Sequence, residues 1–300
     1  MPAGNGPAAA LRLVGGTVVF ELAGLHKMVT AAGRFIGCTA IAAVALLYVE
    51  RQDWRADTCP QGAVHSTAVG EVRHLLLEDG SRVDLNTNSE IVTRIEANRR
   101  VTLLIRGEAR FRVERDDRPA FLVVAGQAGV KSTDADFSVR LVNSSRVDVL
   151  VKAGRAEISV APAQVPRPGL QLSPPLVLTM SSGESISLRS NSVLARERLS
   201  AVVLERRTAW TDGWLWFAAE PLPQALAEFN RYHAQQLVLV DPRLASLQIG
   251  GRFRSSDLDS FLATLKHSFD VRTASATLPG ARAATIYLSE RCSRALQQCN

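Results

Sequence analysis

From Leu75 to Val113 the apolar residues mostly recur at every second position, through Leu75, Leu77, Val83, Leu85, Ile91, Val101, Leu103, Ile105, Phe111 and Val113. A period of two belongs to strands with one face against a core. Asp79-Gly80 stands between two such stretches and predicts a hairpin turn, because glycine accepts the positive φ that tight turns impose. Further breaks at Arg106-Gly107, Asn143-Ser144, Ala153-Gly154 and Ser182-Gly183 cut the chain into short strands. The proline-rich stretch 161–175 reads as a loop. Together these signals predict a mostly β, antiparallel domain over residues 69–208.

Beyond Ala209 the period changes. Gly213-Trp214-Leu215-Trp216-Phe217 reads as a strand, and Pro221-Leu222-Pro223 opens a helix with apolar residues at Ala225, Leu226, Phe229 and Tyr232. Strands follow at Leu237 to Val240 and Leu247 to Phe253. Asp257 then caps a second helix through Leu258, Phe261, Leu262 and Leu265, before strands at Val271 to Ala274 and Thr285 to Leu288. Residues 209–291 are thus a small α+β unit of two β-α-β halves, followed by a tail, 292–300.

One segment fits neither pattern. Residues 35–49, FIGCTAIAAVALLYV, are uncharged and apolar, with Arg34 before them and Glu50-Arg51-Gln52-Asp53 after. The run is shorter than the roughly 20 residues of an ordinary span, but Ala31, Ala32 and Gly33 extend it if Arg34 snorkels. The expectation is a single N-terminal transmembrane helix, with a leader at 1–34 and a connector at 50–68. A cleaved signal peptide and a lipid anchor at Cys38 are the rival readings, and neither fits well. No small-x-small site follows the run, and Arg34 interrupts the apolar stretch before Cys38. Within the leader, Val18 to Met28 carries apolar residues at helical spacing.

The chain has 300 residues, 46% of them hydrophobic and 21% charged, which is enough apolar material for two cores. Its net charge of +6 comes from scattered arginines rather than a basic run interleaved with aromatics, which argues against nucleic acid as a partner. Cys59, Cys292 and Cys299 lie beyond the apolar run. In an oxidising compartment Cys292 and Cys299, close in sequence, are the pair expected to bridge; the alternative is three inert thiols. His26, His65, His74, His233 and His267 form no ligand pair or triad, so neither metal, cofactor nor catalysis is expected.

Several spaced motifs carry a family resemblance. Gly70-Glu71, the stretch from Asp79 to Asn86 with Ser89, Gly107-Glu108-Ala109-Arg110-Phe111-Arg112-Val113, and Arg118-Pro119-Ala120-Phe121 with Val123 occur in the order found in the FecR family of inner-membrane regulators. Trp210, Gly213, Leu215, Phe217, Pro221-Leu222, Asn230-Arg231-Tyr232, Asp241 and Gly250-Gly251-Arg252-Phe253 continue it. The α+β unit resembles the short N-terminal domain of secretins and TonB-dependent receptors. The resemblance implies an anti-sigma factor that crosses the bacterial inner membrane once, with most of its chain in the periplasm. It would hold an extracytoplasmic-function sigma factor in the cytoplasm and read the periplasmic signalling domain of a TonB-dependent receptor, commonly in iron uptake. Residues 1–34 are shorter than the helical sigma-binding domain such proteins usually carry. Some members also cleave themselves at a Gly-Thr pair before Phe-x-Val; here Asp134-Ala135 precede Asp136-Phe137-Ser138-Val139, so the nucleophile is absent.

The alternative function is an envelope adaptor with no sigma-factor control. In either case the expected partner surface is on the α+β unit, at Trp214, Trp216, Phe217, Leu222, Phe229 and Tyr232. On strand spacing Trp214 and Trp216 share one face while Leu215 and Phe217 share the other, so one pair points outward.

Overall fold

The computed structural model describes residues 10–14, 17–21, 62–160, 176–189, 192–276 and 285–290. The apolar run 35–49 and all four cysteines, Cys292 and Cys299 included, lie outside the described residues. Among the described residues no helix is long and apolar enough to cross a membrane.

The chain divides into two units, 1–37 and 38–300. In the first, strands β1 (Ala10–Val14) and β2 (Thr17–Glu21) form an antiparallel hairpin that closes with Val14 opposite Thr17. Residues 18–21, expected to begin a helix, are therefore in a strand. Thr17, Val18 and Val19 are β-branched and lose rotamer freedom in a helix, which favours the extended form.

The second unit opens with a sheet of eleven strands among the described residues. They are β3 (Ala63–Ser66), β4 (Arg73–Leu76), β5 (Arg82–Leu85), β6 (Glu90–Glu96), β7 (Arg99–Val113), β8 (Phe121–Ala125), β9 (Ala128–Asn143), β10 (Arg146–Val160), β11 (Leu176–Ser181), β12 (Glu184–Arg189) and β13 (Ser192–Arg198). All pairings are antiparallel except β7 with β8. Asp79-Gly80, Asn143-Ser144 and Ser182-Gly183 are turns between strands, as expected. Asp79 fixes the first by accepting from the Ser81 backbone N–H at 3.0 Å and the Ser81 hydroxyl at 2.8 Å.

Gly107 and Gly154 are different. Both lie inside long strands with positive φ, +83° and +78°, so the chain continues through them. The β6–β7 register slips between Glu90 and Ile91, whose partners are Arg106 and Leu104. A slip of one residue moves side chains to the opposite face. Before it Leu104 faces the main core, and after it Ala109, Phe111 and Val113 do. Ile105, expected inside, is consequently 39% exposed, and Leu103 joins Val124 in a small cluster on the other face. The main core is closed by Phe111 against Phe137, with ring centroids 5.3 Å apart, and by Phe121.

The chain then enters helix α1 (Ala201–Thr208), absent from the sequence expectation, whose N-cap is Ser200. Only Thr208 of this helix is buried, so it lacks the apolar stripe by which helices are recognised. Next come β14 (Trp214–Pro221), α2 (Leu222–Tyr232), β15 (Gln236–Leu239), β16 (Gln248–Arg254), α3 (Leu258–Phe269), β17 (Val271–Ala276) and β18 (Thr285–Glu290). These form two β-α-β halves, with β14 paired to β16 and β18 lying between β15 and β17. The apolar stripe of α2 (Leu222, Ala225, Leu226, Phe229, Tyr232) is buried in full. Phe229 stacks on Phe261 of α3 at 4.0 Å, and Phe253 meets Phe261 edge-on at 5.2 Å. This second core is separate from the first.

Candidate functional site

Four of the sequence motifs described above, at Gly70, Asn86 to Ser89, Gly107-Glu108 and Arg231-Tyr232, converge on one place. Asn86 and Ser89 follow β5, Glu108 sits just past the Gly107 bulge, and Arg231 and Tyr232 end α2. The Tyr232 hydroxyl donates to Asn86 Oδ1 at 2.8 Å, and Asn86 Nδ2 donates to Glu108 Oε2 at 2.9 Å. Arg231 Nη2 donates to the same Glu108 oxygen at 2.8 Å, while its Nη1 binds Glu228. Thr87 Oγ1 donates to the Arg231 carbonyl at 3.0 Å and accepts from the Gly70 backbone N–H at 2.8 Å. Asn86, Thr87 and Ser89 are each 2% exposed or less. A buried polar group without partners is costly, so this joint requires both cores to be in place.

Two glycines are required by close approach. A Cβ on Gly107 would fall 2.2 Å from Ser89 Oγ and 2.7 Å from Ser89 Cα. One on Gly70 would meet the Tyr232 carbonyl oxygen at 2.9 Å. The pairs Gly70-Glu71 and Gly107-Glu108 therefore let two chain segments touch; Glu71 in turn accepts from the Ala68 N–H at 2.8 Å.

The electrostatics follow the geometry. Burial pushes the Glu228 carboxyl up, but Arg231 and Arg140 outweigh it and hold it below the ordinary carboxylate value. Burial opposes the Arg231 charge, and Glu228 with Glu108 more than restores it, so Arg231 stays charged at any ordinary pH. Burial raises the Tyr232 phenol and keeps it a neutral donor.

Beside the joint lies a cleft of about 530 Å³ between the β-sheet and the α+β unit. Its charged groups are largely matched within it: Arg140 with Glu228 at 3.3 Å, Arg146 with Asp148 at 3.0 Å, Arg207 with Glu197 at 2.7 Å, and Arg206 with Glu220. Among the described residues no group of His, Cys, Asp and Glu could hold a metal ion.

Of the six residues expected to present a partner surface, four do not. Phe217 is 6% exposed, Leu222 and Phe229 0% and Tyr232 2%, because each lies on the inward face of its strand or helix and fills the second core. Trp214 and Trp216 are half-buried and occupy the opposite face of β14. Across from them on β16 stand Arg254 and Arg252, the former paired with Trp214 and the latter with Trp216. The Arg254 guanidinium lies 3.9 Å from the Trp214 ring centre, and that of Arg252 lies 5.2 Å from both tryptophan rings. Arg252 and Arg254 were missed as site residues, although the period of two that puts Phe253 inside also puts them outside.

Before Phe137-Ser138-Val139, Asp134-Ala135-Asp136 runs through β9 opposite the Gly154 bulge of β10. Asp136 is held by Arg110 through bonds of 2.7 and 2.6 Å. Ala135 carries no hydroxyl, and the nearby Ser132 hydroxyl, which accepts from the Asp134 N–H at 3.2 Å, donates to the Arg155 carbonyl at 2.7 Å; the purified chain is expected to run as one band on a denaturing gel. Two fragments split at Asp134-Ala135 would contradict this.

The family model for FecR protein matches residues 63–157, the stretch that supplies most of the sheet's main core and the sheet side of the joint. Two crystal structures of a candidate anti-sigma factor from Parabacteroides distasonis ATCC 8503 share the fold. One gives a TM-score of 0.57 at 25% identity, covering 76% of this chain and 99% of its own. The other gives 0.56 at 25% identity, covering 76% and 98%. No curated protein matches the chain.

Proposed function

Since residues 63–157 carry a FecR domain, we propose that this chain is an anti-sigma-type signal transducer. It crosses the bacterial inner membrane once through residues 35–49. Its FecR domain and α+β unit stand in the periplasm, where they read the signalling domain of a TonB-dependent outer-membrane receptor. Residues 1–34 face the cytoplasm and act on an extracytoplasmic-function sigma factor.

The observation that carries this reading is the overlap of two likenesses on one joint. The FecR match supplies Asn86, Thr87 and Glu108, and the fold shared with the candidate anti-sigma factor covers 76% of this chain, well beyond that match. Bonds from Arg231 and Tyr232 lock the two parts together. A displacement of the α+β unit by a partner would therefore be felt in the FecR domain. The reading needs binding surfaces rather than catalytic groups.

The test is a transcript profile of a deletion strain against its parent, with and without an iron chelator. Induction of one small set of envelope-transport genes would mean that the chain restrains a sigma factor, and loss of that set would mean that it assists one. No change under either condition would overturn sigma control and favour an envelope adaptor.

A further inference from the structure

The outer face of the β14–β16 ribbon, whose Trp214 and Trp216 also line the cleft, differs in its arginines from the surfaces described above. Among the described residues these two strands pair only with each other. Their inner face, Leu215, Phe217, Ile249 and Phe253, belongs to the second core. Their outer face is a ladder of two tryptophans and two arginines. In the cleft and the joint, arginines meet carboxylates; on this ladder both are exposed and stack on indole rings instead. Arg254 Nη1 meets the Asp212 carbonyl oxygen at 3.4 Å, and among the described residues neither guanidinium makes an ion pair.

A guanidinium on an indole face is held flat and pre-oriented, with its N–H edge free for a carboxylate. Tryptophan and arginine are also enriched among the residues that carry most of the energy of protein interfaces. Uncompensated positive charge beside half-buried indole calls for a partner that brings both negative charge and apolar surface. A free inorganic anion would leave the tryptophans unused.

We propose that this ladder is the docking surface for an acidic segment of a partner protein, with carboxylates on Arg252 and Arg254 and apolar side chains against Trp214 and Trp216. This rests on the reading of the α+β unit as the partner-sensing part and names the chemistry that it senses.

The test uses the full chain in detergent micelles and a synthetic peptide of alternating glutamate and valine, with a lysine–valine peptide as control. Binding is read by tryptophan fluorescence and by titration calorimetry. The glutamate peptide should bind, more weakly as salt rises, and the lysine peptide should not. The double variant Arg252→Glu/Arg254→Glu should lose about tenfold or more in affinity. Because both side chains are exposed, its thermal midpoint should stay near that of the parent; Arg252→Gln/Arg254→Gln, which removes charge without reversing it, guards against misfolding of the first variant.

Equal affinity of parent and both variants for the glutamate peptide, or none in any, would overturn the proposal. So would loss, in the variants, of binding to phosphatidylglycerol vesicles with no peptide binding by the parent, which would assign the surface to lipid. The transcript profile is independent of these results. Peptide binding with no sigma-dependent transcripts would leave the surface and remove the sigma factor, and the reverse would do the opposite.

Discussion

Arg231 and Arg254 belong to the same small unit and are surrounded by opposite chemistry. Arg231 lies in a wall of carboxylates, bonded to Glu108 and Glu228, at the seam between the two cores. Arg254 lies on an indole ring at the surface and, among the described residues, makes no ion pair within 4 Å. Charge that is neutralised and buried fixes geometry, because removing either partner strands the other. Charge that is pre-oriented and unpaired leaves its strongest interaction to be made with something else. The same residue type is thus mortar in one place and a contact point in the other.

The sharpest way to break the first half of this comparison is Gly107→Ala. Its Cβ would enter the Ser89 backbone, at a φ that alanine tolerates poorly. A loss of about 3–4 kcal/mol is expected in urea unfolding monitored by circular dichroism. Arg231→Ala should cost about 2–3 kcal/mol, since it leaves Glu108 and Glu228 facing each other with one cation fewer. A loss below about 0.5 kcal/mol for either would mean that the seam is not structural.

The pH dependence sharpens the point. The folded Glu228 carboxyl lies below its ordinary value of 4.5. Its contribution is therefore complete above that value and is lost as the pH falls through the lower folded one. Thermal midpoints measured from pH 7 down to pH 3 should drop, and Glu228→Gln should flatten the acid limb of the curve. Smallest of all, Arg252→Ala with Arg254→Ala should move the unfolding midpoint by an amount corresponding to about 0.5 kcal/mol or less, as surface changes do. A larger loss would show that the ladder supports its own ribbon and would erase the contrast.

Much of the fold could be read before any coordinates, and the errors have a common cause. The inward stripe of α2 and the strands on either side of it are periodic over enough residues to be unambiguous. Gly107 and Gly154 read as turns in the sequence because a lone glycine in an alternating stretch can either end a strand or bend it. Only the partner strand distinguishes a bulge from a turn, and pairing is not a local property. The same limit applied to the site. Trp214 and Trp216 could be placed on one face by alternation, yet which face was outward depended on α2 and α3. The joint was hidden for a stronger reason: Asn86 and Tyr232 are 146 residues apart, and nothing near either one names the other.

That separation carries a consequence for how the chain can be cut and recombined. Asn86, Glu108, Arg231 and Tyr232 act as one lock whose halves come from distant stretches of the sequence. A graft of the α+β unit onto another sheet will hold only if the recipient also offers an amide and a carboxylate at these points, with glycine beside them. The natural unit of exchange is therefore the whole pair of cores, and chimaeras should be joined outside residues 62–290, never at the junction of β13 and α1 near residue 200.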